Sequence, residues 1–118
     1  SNDLWKRSVG EGQLWEEVQI DGEKPPPLHN HAMVGTRSGF IVWGGATHGE
    51  EEAKGRFAQL YLDSLWEWSE KGGFRRAIVE GEKRPLGRHC HSLCAVTEDT
   101  YVLFGGFGGF VELCFLWG

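Results

Sequence analysis

The chain is poor in cysteine, tyrosine, basic residues and long apolar runs, and each shortage excludes something. Three cysteines, Cys90, Cys94 and Cys114, are an odd number from which no even disulfide framework can be built, so a reducing compartment, cytoplasmic or nuclear, is expected. No apolar stretch approaches the ~18 residues of a membrane helix, and the polar start Ser1-Asn2-Asp3 does not resemble a secretion signal. Lys and Arg number 12 against 17 Asp and Glu, a formal charge of −5. Nucleic-acid footprints show a basic stripe, whereas Arg75-Arg76 and Lys83-Arg84 are few and interrupted by acids. Neither nucleic acid nor membrane is therefore expected as a partner. Helical periodicity is missing as well. The single exception is 50–60, where Glu51 with Lys54 and Phe57 with Leu60 have helical spacing, but Gly49 and Gly55 weaken it, and a polar insert between strands is the reading adopted.

Catalytic signatures are equally scarce. No serine lies in a G-x-S-x-G turn, and Gly105-Gly106-Phe107-Gly108-Gly109 lacks the lysine and hydroxyl residue of a phosphate-cradling loop. Carboxylates are scattered along loops. His89, Cys90, His91 and Cys94 crowd together, echoed by His29 and His31, which raises the question of zinc. Along a strand, however, residues i and i+2 share a face while Cys90 points the other way, and paired C-x-x-C motifs are absent. Structural or free side chains are expected there, with no metal, no cofactor and no catalytic residue.

What is present is a repeat. Residues 31–45 and 91–106 each run from a histidine through a short apolar stretch to Gly44-Gly45 or Gly105-Gly106. Upstream, Gly22-Glu23-Lys24-Pro25 corresponds to Gly81-Glu82-Lys83-Arg84-Pro85, Trp15 to Phe74, and Asp3-Leu4-Trp5 to Ser64-Leu65-Trp66, mostly at offsets of 59 to 61. Val111-Glu112-Leu113-Cys114-Phe115 opens a third version. Short runs rich in Val, Ile, Leu and aromatics, bounded by Gly, Pro or Asp, read as strands over 3–8, 14–20, 91–96, 100–104 and 111–117, with a four-stranded unit over 31–79. Phe40-Ile41-Val42-Trp43 and Tyr101-Val102-Leu103-Phe104 do not alternate with polar residues, so both faces of each strand are expected to be buried. Trp5, Trp15, Trp66 and Trp68 are expected to fill gaps in the core.

Pro85, Arg88 and His91 in the spacing P-x-x-R-x-x-H, followed by an aromatic before Gly105-Gly106, resemble the kelch repeat. The resemblance implies four-stranded antiparallel propeller blades. The expected fold is all-β: a partial kelch-type β-propeller of about two to three four-stranded blades, not closed by this chain alone, since closure at roughly 50 residues per blade needs at least four. Its divisions are trailing strands of a partial blade (1–28), a complete blade (29–80) and an incomplete blade (81–118). Leu28 stands where the second copy has Arg88, and 46–60 is an insert after the first glycine pair. The resemblance gives His31 and His91 a structural hydrogen bond.

It also implies a role in binding. Kelch propellers that capture peptides use the residues just before the histidine and just after the glycine pair. Here these are His29 and Asn30, His89 and Cys90, then Thr47 and His48 with Ala46, and Phe107, with Arg88 adjacent. Arg88 suits either a carboxylate or its own strand's backbone. Trp66-Glu67-Trp68, Gly87-Arg88, His91-Ser92-Leu93 and Leu103-Phe104-Gly105-Gly106-Phe107 are similar to kelch-domain substrate receptors of cullin ubiquitin ligases. Those receptors place a serine and a tryptophan between the arginine and the histidine, where this chain has His89 and Cys90. The expectation is a non-catalytic scaffold that binds a protein or peptide, completed by further blades or another copy of the chain, and serving as a ubiquitin-ligase substrate adaptor. The alternatives are a fragment of a galactose-oxidase-like copper propeller, whose sites combine tyrosines with histidines, and a fragment with no independent function.

Overall fold

The computed structural model describes residues 1–10, 12, 14–77 and 84–108, together with the backbone of Leu116–Trp117. Strands alone make up its regular structure among these residues: β1 (Leu4–Lys6), β2 (Glu16–Val18), β3 (Ala32–Gly35), β4 (Gly39–Trp43), β5 (Ala46–Ala53), β6 (Arg56–Tyr61), β7 (Leu65–Ser69), β8 (Gly73–Arg76), β9 (Ser92–Ala95), β10 (Tyr101–Phe104) and β11 (Leu116–Trp117). All pairings are antiparallel, and the sheets run β1-β2, β3-β4-β7-β8, β5-β6 and β11-β10-β9. The four-stranded sheet is a blade, and β9 and β10 begin a second beside it, with β3 against β9. The remainder of the third expected segment, 111–115 with Cys114, lies outside the described residues, as do 78–83, which hold the expected boundary at 80/81.

Strand β4 carries the core because its apolar run has sheet on both edges. Ile41, Val42 and Trp43 are buried, as are Ala46, Trp66 and Leu103. Phe40, Val42, Trp66, Trp68 and Phe74 share one face through cross-strand pairing, with Phe40 stacked on Trp68 at 5.2 Å and Phe74 edge-on to Phe40 at 5.9 Å. Ile41 and Trp43 point the opposite way, toward the second blade, where Trp43 meets the His91 ring edge-on at 5.3 Å.

Three expectations need correction. Trp5 and Trp15 are not core: they are 49% and 65% exposed, because β1 and β2 are three residues each and no other sheet among the described residues covers them. The Trp5 ring N–H instead donates to Asp3 Oδ2 at 2.7 Å. Strand β10 is buried on one face only, since Leu103 is buried while Phe104, on the other face, is 55% exposed. The polar insert is itself a hairpin, β5-β6, whose tip Lys54-Gly55 is a two-residue turn with Gly55 at φ 76°.

The two repeats superimpose in their hydrogen bonds. The Leu28 amide donates to Ser1 O (3.1 Å) just as the Arg88 amide donates to Leu62 O (3.2 Å), one repeat further on. The seam between blades is closed by Gly45 N to Arg88 O (2.8 Å) and Leu62 N to Gly45 O (2.9 Å). Gly45 and Gly106 stand at φ 95° and 99°, and a Cβ on either would lie 2.8 Å from His31 Cβ or 2.7 Å from His89 O. Backbone geometry and close approach both demand glycine here.

Candidate functional site

Each repeat folds its pre-histidine residue against the residue that follows its glycine pair. His29 and Ala46 exchange two backbone hydrogen bonds of 3.0 Å; His89 and Phe107 exchange two of 3.0 and 2.9 Å. The chain then turns through Asn30 (φ 51°) and Cys90 (φ 56°) into β3 and β9, and the Cys90 amide donates to Asn30 O at 2.8 Å. Left-handed backbone is ordinary for asparagine and strained for cysteine. These paired turns put the loop residues of both blades at the same end of the sheets.

The β5-β6 hairpin walls this end. His48 is opposite Gln59, and alternation puts Phe57, Gln59 and Tyr61 on its side of the hairpin. A continuous row of rings results. Phe57 stacks on His48 (5.5 Å), His48 contacts His29 (6.0 Å), His29 contacts His89 (6.0 Å), and His89 contacts Tyr61 (5.0 Å) and Phe107 (5.8 Å). Gln59 lies within the row, its Nε2 3.3 Å from His29 Nε2 and its Oε1 accepting from the Tyr61 hydroxyl at 3.1 Å.

Four of the residues singled out from sequence, His29, His48, His89 and Phe107, are thus brought into one row. Thr47 sits on the adjoining groove of about 440 Å³, with Ser1, Pro27, Leu28, His29 and His48. The Asn30 and Cys90 side chains are exposed beside the row, outside its ring contacts. Arg88 is 0% exposed and turned toward its own blade's backbone, its Nε donating to Leu86 O (3.0 Å) and Nη1 to Gly105 O (3.1 Å), with the guanidinium carbon 5.9 Å from the Trp43 ring centroid. Its Nη2 has no hydrogen-bond partner among the described residues. Burial lowers the Arg88 pKa from its ordinary value. Sequence reasoning missed Tyr61, Gln59 and Phe57; their alternation opposite His48 was the available signal, obscured by Glu50-Glu51-Glu52.

The repeated histidines differ. His91 is buried, and its Nε2 lies 2.7 Å from Trp43 O, a bond that ties the second blade to the first. His31 is exposed and has no such bond among the described residues. Burial lowers the His91 pKa, although the bond to Trp43 works the other way, and burial with the charge of His29 lowers those of His31 and His89. Among the described residues no three His, Cys, Asp or Glu side chains are placed to hold a metal ion. At the far end of the sheets lies a separate cleft of about 550 Å³ that includes Thr36, Arg37, Glu67, Arg75 and Tyr101. None of the residues proposed from sequence lines it.

A blade built on a histidine-to-glycine-pair unit, stacked against a second copy, defines a class of propeller repeat. Comparison with known proteins agrees. The chain is 31% identical over 94 residues to Kelch domain-containing protein 2 of Bos taurus and 33% identical over 97 residues to Kelch domain-containing protein 1 of Mus musculus, in both cases over 80% of its own length. It spans 21% of each of these curated relatives. No family model matches. The chain belongs to the kelch-repeat family.

Proposed function

We propose that the chain is a non-catalytic protein-interaction module that docks a protein or peptide segment on the ring row of His48, His29, His89, Tyr61 and Phe107. The observation that carries this reading is the pair of matched bridges, His29–Ala46 and His89–Phe107, which bring the loops of two blades into one surface. Rings that are half-buried or exposed and lie in mutual contact offer apolar area with little side-chain entropy to lose. Loops held by a rigid scaffold are where propellers place recognition.

Within this reading, the motifs shared with ubiquitin-ligase substrate receptors support an adaptor role, with further blades or a second copy completing the propeller. The exposed free thiols of Cys90 and Cys94 support a reducing location, cytoplasmic or nuclear. The oxidase alternative finds less support. Tyr61 and Tyr101 lie at opposite ends of the sheets, Tyr61 beside His89 and Tyr101 in the far cleft with its hydroxyl donating to Glu98 O at 3.2 Å.

Peptides selected against the chain from a displayed library test the reading. Alanine at Tyr61 and Phe107 should weaken the selected peptides by roughly tenfold or more, as truncation of central aromatic anchors does. Alanine at Arg75, in the far cleft, should leave them unchanged. Loss only with the Arg75 variant would refute the assignment.

A further inference from the structure

The seam between the two blades has two halves, and each half occurs a second time without its mate. The first blade contributes Trp43 O and the Gly45 amide; the second contributes the His91 ring and Arg88 O, and they join at 2.7 and 2.8 Å. The Trp43 and His91 rings meet edge-on at 5.3 Å. One repeat further on, Phe104 and Gly106 hold the places of Trp43 and Gly45, and one repeat back, Leu28 and His31 hold those of Arg88 and His91. Gly106 keeps the backbone of Gly45, at φ 99° against 95°. Among the described residues both of these halves are open. His31 is exposed, Phe104 is 55% exposed, and neither the Gly106 amide nor Leu28 O enters a backbone hydrogen bond.

The strands divide in the same way. Cross-strand pairing puts Cys94, Val102 and Phe104 on one face of β9-β10, which is turned away from the first blade because Leu103, on the other face, is buried. On the first blade, Met33 pairs with Val42 and so shares the face that is turned away from the second blade; it is 54% exposed. Strands β1 and β2 are outer strands without inner ones. The edge of β1 away from β2 has no strand on it among the described residues, and Trp5, in the place of Trp66, is exposed where Trp66 is buried. Strands β9 and β10 are the converse. The outer edge of β10 is held only through Leu103 opposite Trp117 and Phe104 opposite Leu116, beside the cleft of about 550 Å³ walled by Ile41, Glu67 and Arg75.

Resting on the reading above that further blades or a second copy complete the propeller, we propose that these open halves are mates and that a second copy of this chain supplies them, head to tail. Strand β1 of one copy pairs along β10 of the other in place of β11, with Leu4 opposite Phe104 and Trp5 opposite Leu103, the register that β7 takes on β4. One four-stranded blade then forms from β9-β10 of one copy and β1-β2 of the other. Cross-strand neighbours share a face, so Trp5 enters on the side of the open cleft, next to Leu103. At the new seam His31 reaches Phe104 O and Leu28 O accepts the Gly106 amide, as His91 and Arg88 O do within the chain. Met33 covers Phe104 and Val102. The contact is heterologous and repeats until it closes. Each copy brings two blades, so a ring of four to eight blades takes about two to four copies.

Sedimentation velocity on the full chain, 13.2 kDa, across a concentration series tests this. The mass should rise to one closed species of about two to four monomers. Phe104→Glu and Met33→Glu each put a charge in the new seam at a position more than half exposed in the single copy. Each variant alone should stay monomeric. An equal mixture of the two should form a dimer and stop, because one intact tail face meets one intact head face. Leu60→Glu, at a comparably exposed position on the β5-β6 hairpin, should assemble like the unaltered chain. His31→Ala should weaken association roughly fivefold, the loss of one hydrogen bond, while the urea midpoint of the dilute monomer stays where it was. Circular dichroism verifies that each variant keeps its sheets, with Phe104→Gln and Met33→Gln as milder replacements. A chain that stays monomeric at every concentration, a mass that grows without limit, a mixture that does not dimerise, or an assembly that Leu60→Glu dissolves as readily as Phe104→Glu would each overturn the proposal. A monomeric chain that still binds library peptides through Tyr61 and Phe107 would overturn this inference and leave the docking reading standing.

Discussion

Replacing His91 by alanine and, separately, His31 by alanine turns the repeat into its own control. The two histidines occupy equivalent positions, yet one is buried and bonded across the seam while the other is exposed. Truncating His91 removes a bond of 2.7 Å to Trp43 O, worth about 1 kcal/mol net. It also removes the edge contact with the Trp43 ring, about 0.5–1.5 kcal/mol, while Trp43 O keeps its place in the ladder opposite Ala32. The expected loss is about 1–3 kcal/mol for His91→Ala and under about 0.5 kcal/mol for His31→Ala, an exposed site without such features. Urea unfolding followed by tryptophan fluorescence reads both, as a shift in midpoint at unchanged slope. Equal losses for the two variants would refute the claim that the seam is fastened by His91, and so would a loss for His91→Ala below about 0.5 kcal/mol.

Cys90→Asn should stabilise the chain by up to about 1 kcal/mol, because φ 56° is strained for cysteine and ordinary for asparagine, as Asn30 shows at φ 51°; the urea midpoint reads this. Gly45→Ala should destabilise by more than about 1 kcal/mol, since the new Cβ combines φ 95° with a 2.8 Å approach to His31 Cβ, and thermal unfolding would register it. Stability should fall on acidification. His31, His89 and His91 have lowered pKa values in the folded chain, so the unfolded chain binds more protons as pH drops through about 6.5. The stabilisation they contribute is complete above that value and lost below it. Urea midpoints across that range should decline toward low pH and level off above about pH 7.5.

The sequence was most legible where geometry is dictated by a short motif. The glycine pairs declared their turns because no other residue tolerates φ near 95° against a packed histidine, and the unbroken run 40–43 declared a strand with both faces covered. Trp5 and Trp15 were misjudged because residue type reports what a side chain can bury, not whether a neighbour covers it. Phe104 failed in the same way, lying on the uncovered face of β10. In the insert, three consecutive glutamates broke the alternation that would have marked β5, so the hairpin was not read, and Phe57, noted only for helical spacing with Leu60, and Tyr61 were not placed beside the histidines. At the site, the offsets from the histidine and the glycine pair located His29, His89, His48 and Phe107. Their mutual contact depended on backbone bridges between segments 17 and 18 residues apart, which no local pattern encodes.

The histidines supply the most direct measurement of the central claim, that the ring row is the docking surface. The chain has five, at positions 29, 31, 48, 89 and 91, and their imidazole signals can be followed by NMR as a selected peptide is added. The account expects His29, His48 and His89 to shift on binding, and His91, held against Trp43 O in the seam, to stay where it was. A peptide that binds without moving any of the three row histidines, or that moves only His31 and His91, would contradict it.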